Sequence, residues 1–206
     1  MTFDEFHLIA RTNARPVILV EGTRELPETD AETLAAFSAW LARSYPNAMF
    51  RTGNADGSDS AFARGVAHVD PSRLEYVLPY GGHRKKAMAP ESHCIPLTDI
   101  PRIEEERAVY HTAQASPEYG SLLAKRDFIP KLRAKSLYLL RDTLKVVGSE
   151  SAALGAATAG IFYVNRADPM KGGTGHTIRV CRKLGVPVAF QDDWLHWPPF
   201  LAARAP

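Results

Sequence analysis

The sequence predicts an α/β protein, a Rossmann-like three-layer fold with a mainly parallel sheet and a helical insertion. Three observations predict it. Short apolar runs rich in β-branched residues alternate with segments of helical periodicity. Three of these runs empty into polar, glycine-bearing turns, as strands do where a parallel sheet presents its carboxyl ends. One turn, within Met170–Arg179, carries three glycines and two threonines between Gly172 and Thr177, more than a simple strand-to-helix connection needs.

The elements follow in order. Residues 3–11 have weak helical periodicity and form a peripheral element. Pro16-Val17-Ile18-Leu19-Val20 is the first core strand, ending in the turn Glu21-Gly22-Thr23-Arg24. Thr29 or Asp30 is suited to cap the next helix, whose apolar face is Leu34, Phe37, Ala39, Trp40 and Leu41. Residues 48–52 form a second strand, which runs into Gly53-Asn54-Ala55-Asp56-Gly57-Ser58-Asp59. Ser58 or Asp59 then caps a helix through Phe62, Val66 and Ala67. Leu74–Pro79 is a third strand.

From about residue 80 to 128 the alternation breaks. A basic loop, Gly81-Gly82-His83-Arg84-Lys85-Lys86, is followed by scattered prolines and one helix near 103–115. The segment reads as an insertion or lid on a single domain spanning 1–206. Periodicity returns in a helix near 130–146 through Leu132, Leu137, Leu140 and Leu144. The strand 159–164, a glycine loop, a helix from about Gly175 to Leu184 and the strand 186–190 complete the sheet.

Composition narrows the function. The 206 residues are 45% hydrophobic, enough for a sizeable core, and the net charge is only +2, which does not favour strong non-specific binding of nucleic acid. Cys94 and Cys181 are far apart and form no CxxC pair. His83, His93, Cys94 and His111 lack compact ligand spacing, so no metal site is expected. No apolar run reaches membrane-spanning length and no targeting segment is visible, so a cytoplasmic protein without a membrane partner is expected.

The chemistry should sit in the three turns. Glycines let the backbone approach a ligand, and the first N–H groups of the following helix are unsatisfied and favour an anion. The candidate phosphate-binding residues are Gly22, Thr23, Arg24, Gly53, Gly57, Ser58, Gly172, Gly173, Thr174, Gly175, His176 and Thr177. Arg24 suits bidentate contact with a phosphate and equally a solvated turn. Glu21 ends a core strand, where a carboxylate is costly unless paired or ligand-facing. Asp59 reads as a helix cap or a ribose contact. These two are the candidate catalytic carboxylates. No Walker loop, GxGxxG fingerprint or GxSxG elbow occurs, and no dissociable cofactor is implied.

These motifs resemble the SLOG superfamily. Glu21-Gly22-Thr23-Arg24 is similar to its strand-end Gly-Ser/Thr-Arg turn, and residues 53–59 with Ala61 and Ala63 to its Gly-rich Gly-x-Asp motif. Gly172-Gly173-Thr174-Gly175-His176-Thr177-Ile178-Arg179 resembles the Gly-Gly-Thr-Gly motif that closes the site. Arg141-Asp142 lies where relatives often carry Arg-Asn. The resemblance implies a Rossmann-like fold and a nucleotide or phosphoribosyl small-molecule ligand, with a homodimer compatible. The superfamily includes the Lonely Guy phosphoribohydrolases, which implies N-glycosidic cleavage of a nucleotide. Their motif carries a glutamate that residues 176–179 lack, leaving Glu21 and Asp59 for that role. The superfamily also includes the DNA-processing protein A group. A single-stranded DNA-binding or DNA-processing accessory protein is therefore the alternative, resting on Arg84-Lys85-Lys86, Arg126, Lys131, Arg133 and Lys135.

Overall fold

The computed structural model describes residues 1–203; the last three residues of the expected 1–206 domain lie outside the described residues. At its centre is a six-stranded sheet of β1 (Val17–Gly22), β2 (Met49–Thr52), β3 (Leu74–Leu78), β4 (His93–Pro96), β5 (Ala159–Tyr163) and β6 (Val188–Phe190). The spatial order is β4-β3-β2-β1-β5-β6, and every pairing is parallel. The expected strands at 17–21 and 159–164 are direct neighbours, with Ile18 opposite Ala159 and Gly22 opposite Tyr163.

Alternation along each strand splits the core between the two faces. Ile18, Val20, Phe50, Tyr76 and Ile161 pack beneath α1 (Phe3–Thr12), α2 (Glu28–Ser44) and α3 (Ser58–Val69). The short α8 (Gln191–Trp194) and α9 (Pro198–Ala203) close the same face, with Trp194 stacked on Phe37 at 4.3 Å between ring centroids. Leu19, Val77 and Phe162 face the other way, toward α4 (Arg102–Ala115), α6 (Pro130–Val147) and α7 (Gly172–Lys183). The result is a three-layer, Rossmann-like α/β fold. No helix among the described residues is long and apolar enough to cross a membrane.

Several local expectations are corrected. The 80–128 segment supplies β4 to the sheet edge and α4 to the helical layer, with α5 (Gly120–Ala124) between α4 and α6. Its one short strand has four residues, ends on Pro96 and is half exposed, so its alternation is faint. Helix α2 starts at Glu28 with Pro27 at the N-cap, and Asp30 accepts a hydrogen bond from the Tyr163 hydroxyl rather than capping. Helix α3 has Gly57 at its N-cap, and neither Ser58 nor Asp59 caps it. Helix α7 begins at Gly172, three residues earlier than expected.

The site-forming feature is a reversal of direction. From β1 the chain steps outward to β2, β3 and β4, then returns to β5 on the other side of β1. The loops after β1 and β5 therefore diverge and leave a crevice at their carboxyl ends, where open α/β sheets bind ligands.

Candidate functional site

The crevice is a cavity of about 320 Å³. Its walls include Glu21–Glu25 at the end of β1 and just beyond it, Ala55 and Asp59 after β2, Val164 and Asn165 after β5, and Gly172–Thr174 at the start of α7. Three of the expected turns thus meet in one place. Helix α6 adds Arg141, Asp142 and Lys145 to the same wall.

Helix α7 opens onto the cavity at its N-terminus. Lys171 is its N-cap and makes no side-chain capping bond, so the first helical N–H groups have neither an intrahelical partner nor a side-chain cap. Gly175 is where the chain is tightest: a Cβ there would lie 1.8 Å from the Met170 carbonyl oxygen. At Gly173 a Cβ would meet Asp142 Oδ2 at 2.7 Å. Thr174 Oγ1 donates to the Gly22 carbonyl at 2.8 Å, pinning α7 to the end of β1.

Beneath the helix start lies a buried charge cluster. Lys145 Nζ donates to Glu21 Oε2 and sits 2.9 Å from Asp142 Oδ1. Arg141 Nε is also 2.9 Å from Asp142 Oδ1. Burial pushes the Asp142 carboxyl up, but Arg141 and Lys145 outweigh it and hold it below the usual range. Burial likewise raises Glu21, to about 7, against the pull of Lys145. Glu21 Oε1 is buried with no hydrogen-bond partner, which is costly unless something outside the chain supplies a donor.

The other expected residues divide into supports and bystanders. Asp59 accepts from three backbone N–H groups, those of Gly22 (3.2 Å), Gly53 (3.1 Å) and Ala55 (3.2 Å), and so clamps the ends of β1 and β2 together. Ser58 binds the Thr23 carbonyl through both its N–H and its hydroxyl. Gly57 packs against the Thr23 and Arg24 carbonyls, and Gly53 against the Arg141 guanidinium. Thr177 bonds the Gly173 carbonyl and approaches Glu21 Oε2 at 3.3 Å. Thr23 and Arg24 line the cavity, and the exposed Arg24 side chain makes no hydrogen bond or ion pair among the described residues.

His176 is a correction. It is fully buried, and both ring nitrogens are engaged, Nδ1 with Ser116 Oγ at 2.8 Å and Nε2 with Thr143 Oγ1 at 3.0 Å. It offers no atom to a ligand. Burial drives its pKa down to about 4, so the ring is neutral at neutral pH and fastens α7 to α6.

Sequence reasoning missed Lys145 and did not place Arg141 and Asp142 among the binding residues. Their i, i+1, i+4 spacing reads as a solvated helix stripe. The C-terminal half of α6 is buried throughout, however, from Leu139 to Val147. The available signal was three charged residues in the leucine-rich half of a helix flanking the sheet.

Two basic residues expected to favour DNA are spoken for. Arg126 pairs with Glu106, and Arg133 with Glu105, in a network that also holds Arg102 and Asp127.

No family model matches the chain, and no curated protein matches it. Among solved structures it is similar to DNA processing protein A from Helicobacter pylori, described for its single-stranded DNA binding mode. The identity is 13% and the TM-score 0.45, over 89% of this chain and 67% of that one. Similarity at that level assigns no shared activity.

Proposed function

We propose that the crevice binds the phosphorylated end of a nucleotide or phosphoribosyl small molecule. One observation carries the reading: an uncapped helix N-terminus and a buried, unpartnered carboxylate oxygen, Glu21 Oε1, line the same cavity. The helix start suits a phosphate. The orphaned oxygen suits a hydroxyl donor a short distance along the ligand, and a ribose supplies one. A phosphate alone would leave Glu21 unsatisfied.

Binding is favoured over N-glycosidic cleavage. Asp59 is committed to three backbone donors and Glu21 is paired with Lys145, so neither is a free carboxylate positioned by geometry for catalysis. The SLOG resemblance supports the ligand class. A second reading, single-stranded nucleic acid, draws on Arg24 and Arg84 beside Tyr138 in an adjoining cavity. The pairing of Arg126 and Arg133 weakens it.

Thermal-shift measurement with ribose 5-phosphate and nucleoside monophosphates tests the reading, with chromatography for free base run on the same mixtures. Stabilisation without base release is expected. Base release would establish the hydrolase, and strong stabilisation by oligonucleotides alone would favour the second reading.

A further inference from the structure

A second cavity, about 380 Å³, adjoins the first, and Arg24, Ala55 and Arg141 line both. The chemistry changes across that shared wall. The first cavity holds carboxylates and a helix start. The second presents three guanidiniums, of Arg24, Arg84 and Arg141, with the Asp56 carboxylate and two aromatic rings, His83 and Tyr138.

The rings are held in place. His83 meets Tyr138 edge to face, 5.8 Å between centroids at 82°. The Arg141 guanidinium lies 5.9 Å from the Tyr138 centroid, and Arg141 is itself tied to the Gly53 carbonyl and to Asp142. Asn54 Nδ2 donates to the carbonyls of His83 and Arg84 at 3.4 and 3.3 Å, and Arg84 pairs with Asp56. Asn54 and Arg84 both have left-handed backbones, with φ of 57° and 50°, which non-glycine residues seldom adopt without a structural reason. The wall is thus a latched loop.

The electrostatics agree. Burial lowers the His83 pKa first, and Arg141, Arg84 and Arg24 each lower it further. Arg24, whose guanidinium makes no hydrogen bond or ion pair among the described residues, stands on both cavities.

We propose that the second cavity is a nucleobase subsite, in which the base packs against Tyr138 and His83 while Arg24 spans to the phosphate side. The proposal rests on the reading that the first cavity takes the phosphorylated ribose. A planar π system suits this wall, because aromatic rings stack with it and guanidiniums are attracted to its face. Aromatic packing of this kind tolerates any base.

Calorimetric titration of ribose 5-phosphate and of the adenosine, guanosine, cytidine and uridine monophosphates tests it. The variants are Tyr138→Ala and Tyr138→Phe, at a half-buried position. The wild type is expected to bind the nucleotides about tenfold or more tighter than ribose 5-phosphate. Tyr138→Ala should erase that difference and leave ribose 5-phosphate affinity unchanged, while Tyr138→Phe should keep it. Equal wild-type affinity for both ligand types would overturn the subsite alone, as would a Tyr138→Ala variant that keeps the difference or weakens both ligands alike. Failure of every ligand to bind would overturn the phosphate reading and the subsite with it.

Discussion

Lys145 donates a hydrogen bond to Glu21, joining the last turn of α6 to the carboxyl end of β1. Both are buried, and Asp142 shares the same ammonium. Lys145 and Arg141 together thus balance the two carboxylates, Glu21 and Asp142, under the start of α7. Buried pairs of this kind cost desolvation and contribute little net stability, but removing one partner leaves an uncompensated charge.

Lys145→Met is therefore expected to destabilise the protein by roughly 3–5 kcal/mol. Adding Glu21→Gln should recover part of that loss, because it removes the carboxylate left without a cation, whereas Asp142 keeps Arg141. Urea denaturation of the two single variants and the double variant measures the coupling. Additive losses would show that the pair is not coupled.

A second buried pair lies outside the cavity lining and touches the site only through the backbone carbonyl of Lys145. Arg51 Nε donates to Glu75 Oε2 at 2.8 Å, and Arg51 Nη1 donates to the Lys145 carbonyl at 2.7 Å. Glu75→Ala should cost roughly 3–5 kcal/mol while leaving ligand affinity in the surviving folded fraction unchanged. Loss of affinity at full folding would mean that β3 communicates with the crevice.

His176 makes stability depend on pH. Its folded pKa of about 4 lies below the ordinary value of 6.5, so the unfolded chain binds the proton first as pH falls. Stability is therefore fully present above about pH 6.5 and is lost progressively down to about pH 4. Between pH 7 and pH 5 this amounts to roughly 2 kcal/mol. Glu21 acts in the opposite sense, since its raised folded pKa disfavours the native state as pH climbs from 4.5 through about 7. His176→Gln should remove the first dependence and leave the second. Denaturation midpoints at pH 5, 6 and 7 for both proteins check it, and parallel curves would contradict the assignment.

Much of this was legible from residues alone. The apolar runs at 17–20 and 159–164 are long and β-branched, and buried parallel strands leave that mark. The three glycine-bearing turns could be placed together because parallel strands put their carboxyl ends on one edge. What stayed hidden depended on tertiary burial. Lys145 and Asp142 look solvated until α4 and α7 are packed beside α6. Asp59 looks like a cap, because a side chain reaching back to two strand ends leaves no local pattern. His176 follows three glycines in a ligand-like motif, yet helical geometry turns it into the α6–α7 contact. Strand β4 was lost in a proline-rich segment with too few alternating residues to register.

The close approach at Gly175 has its own consequence. Gly175→Ala places a methyl against the Met170 carbonyl, where backbone has to move. The variant should unfold at a lower temperature and lose ligand stabilisation together. A Gly175→Ala protein with wild-type melting and wild-type binding would show that the turn before α7 is not rigid.

The central claim is that the start of α7 and the β1 turn hold a phosphorylated ribose. Calorimetric titration of ribose 5-phosphate into wild type, Gly173→Val and Arg24→Ala tests it most directly, with melting curves to confirm folding. Arg24 is exposed and its side chain has no hydrogen-bond or ion-pair partner among the described residues, so its loss should leave stability intact while weakening binding by roughly 1–3 kcal/mol, as for a charge-assisted contact. Gly173→Val should abolish binding. Absence of any heat with the folded wild type, or equal affinity in all three proteins, would contradict the account.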